Sequence, residues 1–169
     1  MTDNNKPAPD AAKQDNTAGP NFAVQRIYLK DLSFETPQGA AAFKKQWKPK
    51  VNQDLSTQSS KIEDDLYEVA LRLTVTVKDE EETIYLIEVE QAGLFSIKGI
   101  EGPQLAQVLN VTCATMLLPY AREAIDSTLV KGSFPPLMIP PINFETLFAT
   151  AMKQQAEAES ASKGEATTH

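Results

Sequence analysis

The sequence predicts an α+β fold, in which a four-stranded antiparallel sheet is followed by helices packed on one of its faces. Two observations indicate this class. Apolar and polar side chains alternate through much of residues 22–97, which is the period of a half-buried strand. After residue 100 the apolar spacing changes to three and four residues, the period of a helix. Strands and helices that are segregated along a chain are typical of an antiparallel sheet with helices beside it.

The strands follow from the alternation and from the turns between them. The clearest pattern is "LYEVALRLTVTVK", in which every second residue from Tyr67 to Val77 is apolar. The charged run at 79–82 is a short turn, so this strand and the next form an antiparallel hairpin. We predict four strands, at about 22–35, 51–59, 66–78 and 83–97.

The first strand has apolar residues on both sides. Phe22, Val24, Tyr28, Leu32 and Phe34 share one side, while Ala23, Ile27 and Leu29 share the other. Helices on one face of the sheet leave the second apolar side uncovered. We therefore expect another subunit or a ligand to cover it.

The connection at 36–50 is predicted to be a partly helical crossover, with Phe43 and Trp47 four residues apart. Gly102 and Pro103 suit the start of a helix. We predict a break near Ala114–Thr115, followed by a second helix with Pro119 in its first turn.

The remaining segments are punctuated by glycine, proline and asparagine. Gly132 is a C-terminal stop for the second helix, and the proline-rich "SFPPLMIPPI" is predicted to be extended. Asn143 can cap a last helix. Residues 1–20 and 156–169 are polar and are predicted to be disordered tails around a single domain at 21–155.

Composition disfavours several classes of partner. The formal net charge is −7, which disfavours nucleic acid and anionic membranes as partners. The apolar runs are too short to span a membrane, and the N-terminus has no apolar stretch of a secretory signal. The single cysteine, Cys113, excludes an intrachain disulfide, and its apolar neighbours predict a buried, inert thiol. We expect a cytoplasmic protein.

The chemistry of an enzyme is missing from the sequence. The one histidine is His169, so a histidine base or triad is excluded, and one Cys and one His are too few for zinc. The glycines do not form a phosphate-binding loop. The acidic clusters at 63–65 and 79–82 fall where charged turns are expected. We predict a protein that is not an enzyme and has no cofactor or metal, and the residues alone leave a small-ligand module and a carboxylate-dependent hydrolase as alternatives.

Several long segments resemble the SecB family of bacterial protein-export chaperones. They are "FAVQRIYLKDLSFETP", "YEVALRLTVTV", "EVEQAGLFSIKGIEG", "LLPYAREAI" and "GSFPPLMIPPINFETLF". The resemblance covers about 22–155 in order. It implies a homotetramer built as a dimer of dimers. It also implies an ATP-independent chaperone that holds unfolded precursor proteins and delivers them to SecA, the motor ATPase of the Sec translocase.

The resemblance also implies roles for particular residues. An acidic docking patch for SecA corresponds to Asp31 and Glu35 in the first strand and Leu86 and Glu88 in the fourth. One patch requires these two strands to lie close together. The opposite side of the fourth strand corresponds to the subunit interface, at Ile87, Val89 and Gln91. Phe43 and Trp47 correspond to the aromatic residues of the client-binding crossover, although a core role explains each equally well.

Overall fold

The computed structural model describes residues 19–44 and 46–165, with side chains through residue 158. Four long strands precede the helices, which confirms the predicted α+β class and its antiparallel sheet. The strands are β1 (Asn21–Glu35), β2 (Pro49–Glu63), β3 (Leu66–Asp79) and β4 (Glu82–Lys98). The helices are α1 (Gly102–Gln107), α2 (Ala114–Lys131) and α3 (Phe144–Glu165).

The strand order in the sheet is β1-β4-β3-β2, and every neighbouring pair is antiparallel. β3 and β4 form the predicted hairpin, and the strand predicted at 51–59 is longer than its polar sequence indicated. β1 returns to pair with β4, the last strand in the chain. The first and fourth strands are therefore direct neighbours, as a single docking patch requires.

One face of the sheet forms the core with the helices, and we call it the helix face. Val69, Leu71 and Leu73 of β3 are fully buried there, as are Ile87 and Val89 of β4. The buried stripe of α2 covers them, at Ala114, Leu117, Leu118, Ala121, Ala124, Ile125 and Leu129. Burial of this apolar surface is the main stabilising contribution to the fold. We call the opposite face the open face, since the described helices pack on the helix face.

Two bulges in β1 overturn the predicted division of its side chains. Partner residues skip Gln25 and Lys30, so the alternation reverses at each position. Ile27 and Leu29 lie opposite Gly93 and Gln91 on the helix face, whereas Tyr28 lies opposite Ala92 on the open face.

The bulges change what β1 requires of a partner. With the bulges, the large aliphatic residues of β1 all lie on the helix face. The second apolar side that regular alternation predicted for β1 is therefore wrong. The open-face side of β1 thus has no large aliphatic surface that another subunit or a ligand would need to cover.

The predicted helix break near Ala114 is also wrong. A π-helical turn at Val108–Cys113 joins α1 to α2, and the backbone stays helical throughout. The wider turn inserts a residue into the helical repeat and shifts the apolar stripe, which the sequence pattern showed as a break. Pro119 consequently lies inside a continuous helix rather than in a first turn.

The connecting segments follow the prediction more closely. The crossover contains one 3₁₀ turn, Gly39–Phe43, and residues 134–143 are without regular structure. Asn143 accepts a hydrogen bond at its Oδ1 from the Thr146 amide, 3.0 Å away, and so caps α3. α3 extends to Glu165, nine residues past the predicted start of the C-terminal tail at 156, so residues 156–165 are helical. The predicted tail segments 1–18 and 166–169 lie outside the described residues.

Candidate functional site

The four residues of the predicted docking patch lie together on the open face. Their positions follow from three adjacent rows of the register that run across β1, β4 and β3. The rows are Asp31–Glu90–Arg72, Ser33–Glu88–Thr74 and Glu35–Leu86–Thr76. Directly opposed side chains in an antiparallel pair lie about 5 Å apart at Cβ, so the three rows form one surface.

Glu88 occupies the centre of this surface. It lies one row from Asp31 and one row from Glu35, both of which are exposed on β1. Its side chain is 33% exposed, and its Oε2 accepts a hydrogen bond from Thr74 Oγ1 at 2.9 Å. Leu86 is partly exposed beside Glu35. The patch thus combines three accessible carboxylates with one apolar side chain.

A polar network extends from the patch along the open face. Arg72 Nη2 lies 2.6 Å from Glu90 Oε2, and Lys30 Nζ lies 3.4 Å from the other oxygen of Glu90. Lys30 also contacts Glu68 at 2.7 Å, and the Tyr28 hydroxyl donates a hydrogen bond to the same carboxylate. Two carboxylates therefore bind two cations, which leaves the network close to neutral.

These contacts shift the pKa values of the groups that make them. Hydrogen bonds from Lys30 and then Tyr28 lower the pKa of Glu68, and the hydrogen bond from Arg72 lowers the pKa of Glu90. The same partners raise the pKa values of Tyr28, Lys30 and Arg72. At neutral pH the network thus stabilises the charged forms of the two carboxylates and the two cations, and the neutral, hydrogen-bond-donating form of Tyr28.

The predicted interface residues lie on the other side of β4. Ile87 and Val89 are fully buried within the single chain, and Gln91 is nearly so. They share the helix face with the core of β3, at Val75, Leu73 and Leu71. A second subunit therefore has no direct access to them in this conformation, and the interface assignment stays a prediction.

Phe43 and Trp47 belong to an aromatic cluster around Phe134. The rings of Phe43 and Trp47 lie 5.1 and 5.8 Å from that of Phe134, and Tyr85 lies 5.0 Å from it. Trp47 Nε1 donates a hydrogen bond to the Ala42 carbonyl at 2.8 Å, which joins the two halves of the crossover. Phe43 is 54% exposed, whereas Trp47 is partly buried. The two thus differ: Trp47 supports the crossover, and Phe43 presents an aromatic face to solvent.

A separate cleft of about 330 Å³ lies between β2 and α3, beside the π-helical turn. Its walls include Leu55, Asn110, Phe144 and Leu147. This volume is near the lower end of small-molecule sites, which occupy roughly 300–1,000 Å³. The walls of the cleft are mainly apolar, and it lies beside β2, at the edge of the sheet opposite to β1.

The other chemistry-bearing residues have structural settings. Cys113 is fully buried, and burial raises the pKa of its thiol to about 12, as expected for an inert cysteine. In the part of the chain that the structure describes, His, Cys, Asp and Glu residues form no cluster suited to a metal ion. Among the described helices, none combines the length and apolarity needed to cross a membrane.

The sequence interpretation missed Arg72, Thr74 and Glu90 as parts of this surface. The alternation in β3 already grouped Arg72 and Thr74 on one side. Their relation to Glu88 depends on the register between β3 and β4, which the alternation does not specify. A correct pairing of the two strands is the signal that would have identified them.

Comparisons with known proteins identify the relatives of this chain. The family model described as "Preprotein translocase subunit SecB" matches residues 15–155. The Protein-export protein SecB of Marinobacter nauticus is 52% identical over 159 residues, covering 94% of this chain and 96% of the relative. That of Cellvibrio japonicus is 54% identical over 151 residues, covering 88% and 90%.

A solved structure shows the same fold at much lower identity. It is the SecB-like chaperone of Mycobacterium tuberculosis in complex with a ChAD peptide from the HigA1 antitoxin. The TM-score is 0.60 at 16% identity, over 72% of this chain and 90% of the other.

The fold and its relatives define a non-enzymatic protein of the export-chaperone class. The chain belongs to the SecB family.

Proposed function

We propose that the chain is an ATP-independent chaperone that holds unfolded precursor proteins in the cytoplasm and delivers them to SecA. The observation that supports delivery most directly is the acidic patch, in which Asp31, Glu35, Leu86 and Glu88 meet across two paired strands. The patch occupies the open face, whereas the aromatic cluster packs on the opposite side. Partner and client can therefore bind to different surfaces.

The client surface is proposed to centre on Phe43, with Trp47 holding the crossover in place. An exposed aromatic ring provides apolar contact at a low cost in side-chain entropy, which suits many sequences. Binding of the unfolded form alone lowers the population that folds or aggregates, by mass action. The peptide in the complex of the M. tuberculosis relative supports a peptide-binding role for this fold.

The SecA contact is proposed to be electrostatic with an apolar centre. Asp31, Glu35 and Glu88 would attract a basic surface of SecA. Leu86 would provide an apolar contact at the centre of the interface, where water is excluded. Docking of SecA is the proposed trigger for handing over the client, since it supplies the ATPase that this chain does not.

The assembly is proposed to be a homotetramer, built as a dimer of dimers. Ile87, Val89 and Gln91 are proposed to influence it by setting the packing between the sheet and α2, because they are buried within one chain. This replaces direct contact across the interface with an indirect effect through the core.

Suppression of aggregation without ATP tests the chaperone role. An unfolded precursor is diluted from denaturant with and without the protein, and its light scattering is followed. Wild type is expected to suppress aggregation, and Phe43→Ala to suppress it less. Ile62→Ala is the matched control, since Ile62 is 51% exposed on β2, outside the aromatic cluster. No suppression by wild type would contradict the chaperone role, and equal effects of the two variants would contradict the client role of Phe43.

Calorimetric titration with SecA tests the docking patch. Asp31→Asn and Glu88→Gln are each expected to weaken binding about two- to fivefold, the range of exposed charge pairs, and less at high salt. Suppression of client aggregation is expected to persist in both. Glu101→Gln removes the same charge from an exposed position beyond the far end of β4 and is expected to bind like wild type. If these variants lost client binding and SecA binding to the same extent, the proposal that clients and SecA use different surfaces would be contradicted.

A further inference from the structure

The guanidinium of Arg72 lies among the carboxylates of the open face. If it paired fully with Glu88, it would neutralise part of the negative charge of the docking patch. Arg72 contacts Glu90 at 2.6 Å, while its Nε lies 4.0 Å from Glu88 Oε1. The Arg72 side chain is 50% exposed, and its guanidinium also interacts with Asp31. Arg72 is therefore within ion-pair distance of Glu88, one of the carboxylates proposed to bind SecA.

Glu90 is placed to hold this cation. It is opposed by Asp31 on β1 and by Arg72 on β3, and its side chain is only 10% exposed. A partly desolvated carboxylate gains more from a close guanidinium than an exposed one does, because water screens the exposed charge. Arg72 accordingly lies closer to Glu90 than to Glu88.

Two groups can be distinguished among the charges of these three rows and of the adjoining polar network. Glu68 and Glu90 bind Lys30 and Arg72, and these four groups balance one another. Asp31, Glu35 and Glu88 are the carboxylates of the docking patch, and they give it its negative charge. Thr74 supports this arrangement, since its hydroxyl orients Glu88 through one oxygen.

We propose that Glu90 is a positioning residue for SecA docking, which holds Arg72 away from Glu88 and so keeps the docking carboxylates available. The inference rests on the proposed docking of SecA at this patch. Without the charge of Glu90, Arg72 moves to Glu88, its next carboxylate at 4.0 Å, and competes there with the cations of the partner. In that case the docking patch keeps its carboxylates, but the charge of Arg72 weakens their attraction for the cations of SecA.

The test is calorimetric titration of SecA into the full-length protein at low and high salt. Glu90→Gln is expected to weaken binding about two- to fivefold, the range of an exposed ion pair. Arg72→Gln combined with Glu90→Gln is expected to restore wild-type affinity, because the competing cation is gone. Glu68→Gln is the matched control: it removes the same charge from the same face but next to Lys30, and is expected to have a smaller effect.

Glu90→Asp keeps the charge and withdraws the carboxylate by one methylene. It is expected to weaken docking less than Glu90→Gln does. If the glutamine variant does not fold, Glu90→Asp is compared with wild type and is expected to bind SecA more weakly; equal binding would then contradict the proposal. Client suppression is expected to be unchanged in every variant that folds.

Two results would overturn the proposal: no recovery in the double variant, or equal effects of Glu90→Gln and Glu68→Gln. The outcome is distinguishable from failure of the docking site itself. If Glu88→Gln weakens SecA binding and the Glu90 variants do not, the docking patch is supported and the positioning role of Glu90 is contradicted. If wild type does not bind SecA, both fall.

Discussion

At the scale of single residues, one glycine limits how closely α2 can end against the sheet. A Cβ on Gly132 would lie 2.6 Å from Cε1 of Phe34 and 3.2 Å from Cδ2 of Phe134. Both rings belong to the aromatic cluster, so neither can move without disturbing its neighbours. The position is thus fixed by packing, since its φ of −77° suits any residue.

Gly132→Ala is expected to destabilise the fold by about 1–3 kcal/mol, the usual cost of an overpacked site. Urea unfolding measures the free energy, and near-ultraviolet circular dichroism reports on the aromatic cluster. Gly19→Ala is the control, since a Cβ there meets nothing within 4 Å. An unchanged midpoint for Gly132→Ala would show that the cluster can adapt.

Residue patterns predicted the site only where the alternation was regular. Asp31, Ser33 and Glu35 follow the second bulge of β1, so their common side was predicted correctly. Tyr28 lies between the two bulges and was assigned to the wrong side. A bulge adds one residue without a distinct sequence signal, and the pairing of β1 with β4 joins strands separated by two others in the chain. The positions of the bulges and the pairing of β1 with β4 both depend on tertiary contacts, so the residue pattern of β1 alone does not predict them.

At the scale of elements, the strands were predicted more accurately than the helices. The predicted strand at 66–78 differs from β3 by one residue, because half-burial gives a strong period of two. The π-helical turn and the length of α3 were missed. An inserted residue in a helix resembles a break, and α3 continues through a polar segment that lacks a regular apolar stripe.

The start of α3 depends on one side chain. Asn143→Ala is expected to destabilise the protein by about 1 kcal/mol, since the Thr146 amide loses its partner. Asn143→Asp keeps an acceptor at the same place and is expected to retain the stability. Thermal unfolding followed by circular dichroism compares the two, and an alanine variant as stable as wild type would indicate that water replaces the cap.

The polar network across β1, β3 and β4 gives the sheet an acid-sensitive contribution. The folded-state pKa values of Glu68 and Glu90 lie below their ordinary value of 4.5. Their contribution is therefore complete above that value and is lost as the pH falls through the lower folded-state values. Denaturant unfolding between about pH 6 and pH 3 is expected to show less acid destabilisation in a Glu68→Gln/Glu90→Gln variant than in wild type. Parallel pH curves for the two would contradict this contribution.

At the scale of the whole molecule, the buried position of Ile87 leads us to expect that stability and assembly change together. Light scattering after size exclusion is expected to give the mass of four chains for wild type. Ile87→Val is expected to cost about 1 kcal/mol of stability and to increase dissociation together with it. Ile62→Val makes the same chemical change at an exposed position and is expected to alter neither. A stable monomeric wild type would contradict the proposed tetramer.

The polar sequence of β2 has a consequence for a protein that handles aggregating chains. β2 is an edge strand of fifteen residues whose side chains are almost all exposed. Long edge strands invite pairing with other extended chains, and lysine and proline oppose it. β2 begins at Pro49 and carries Lys50 and Lys61, with few apolar residues between them. This composition makes β2 a poor template for pairing with the extended chains that the proposed function would bring to the protein.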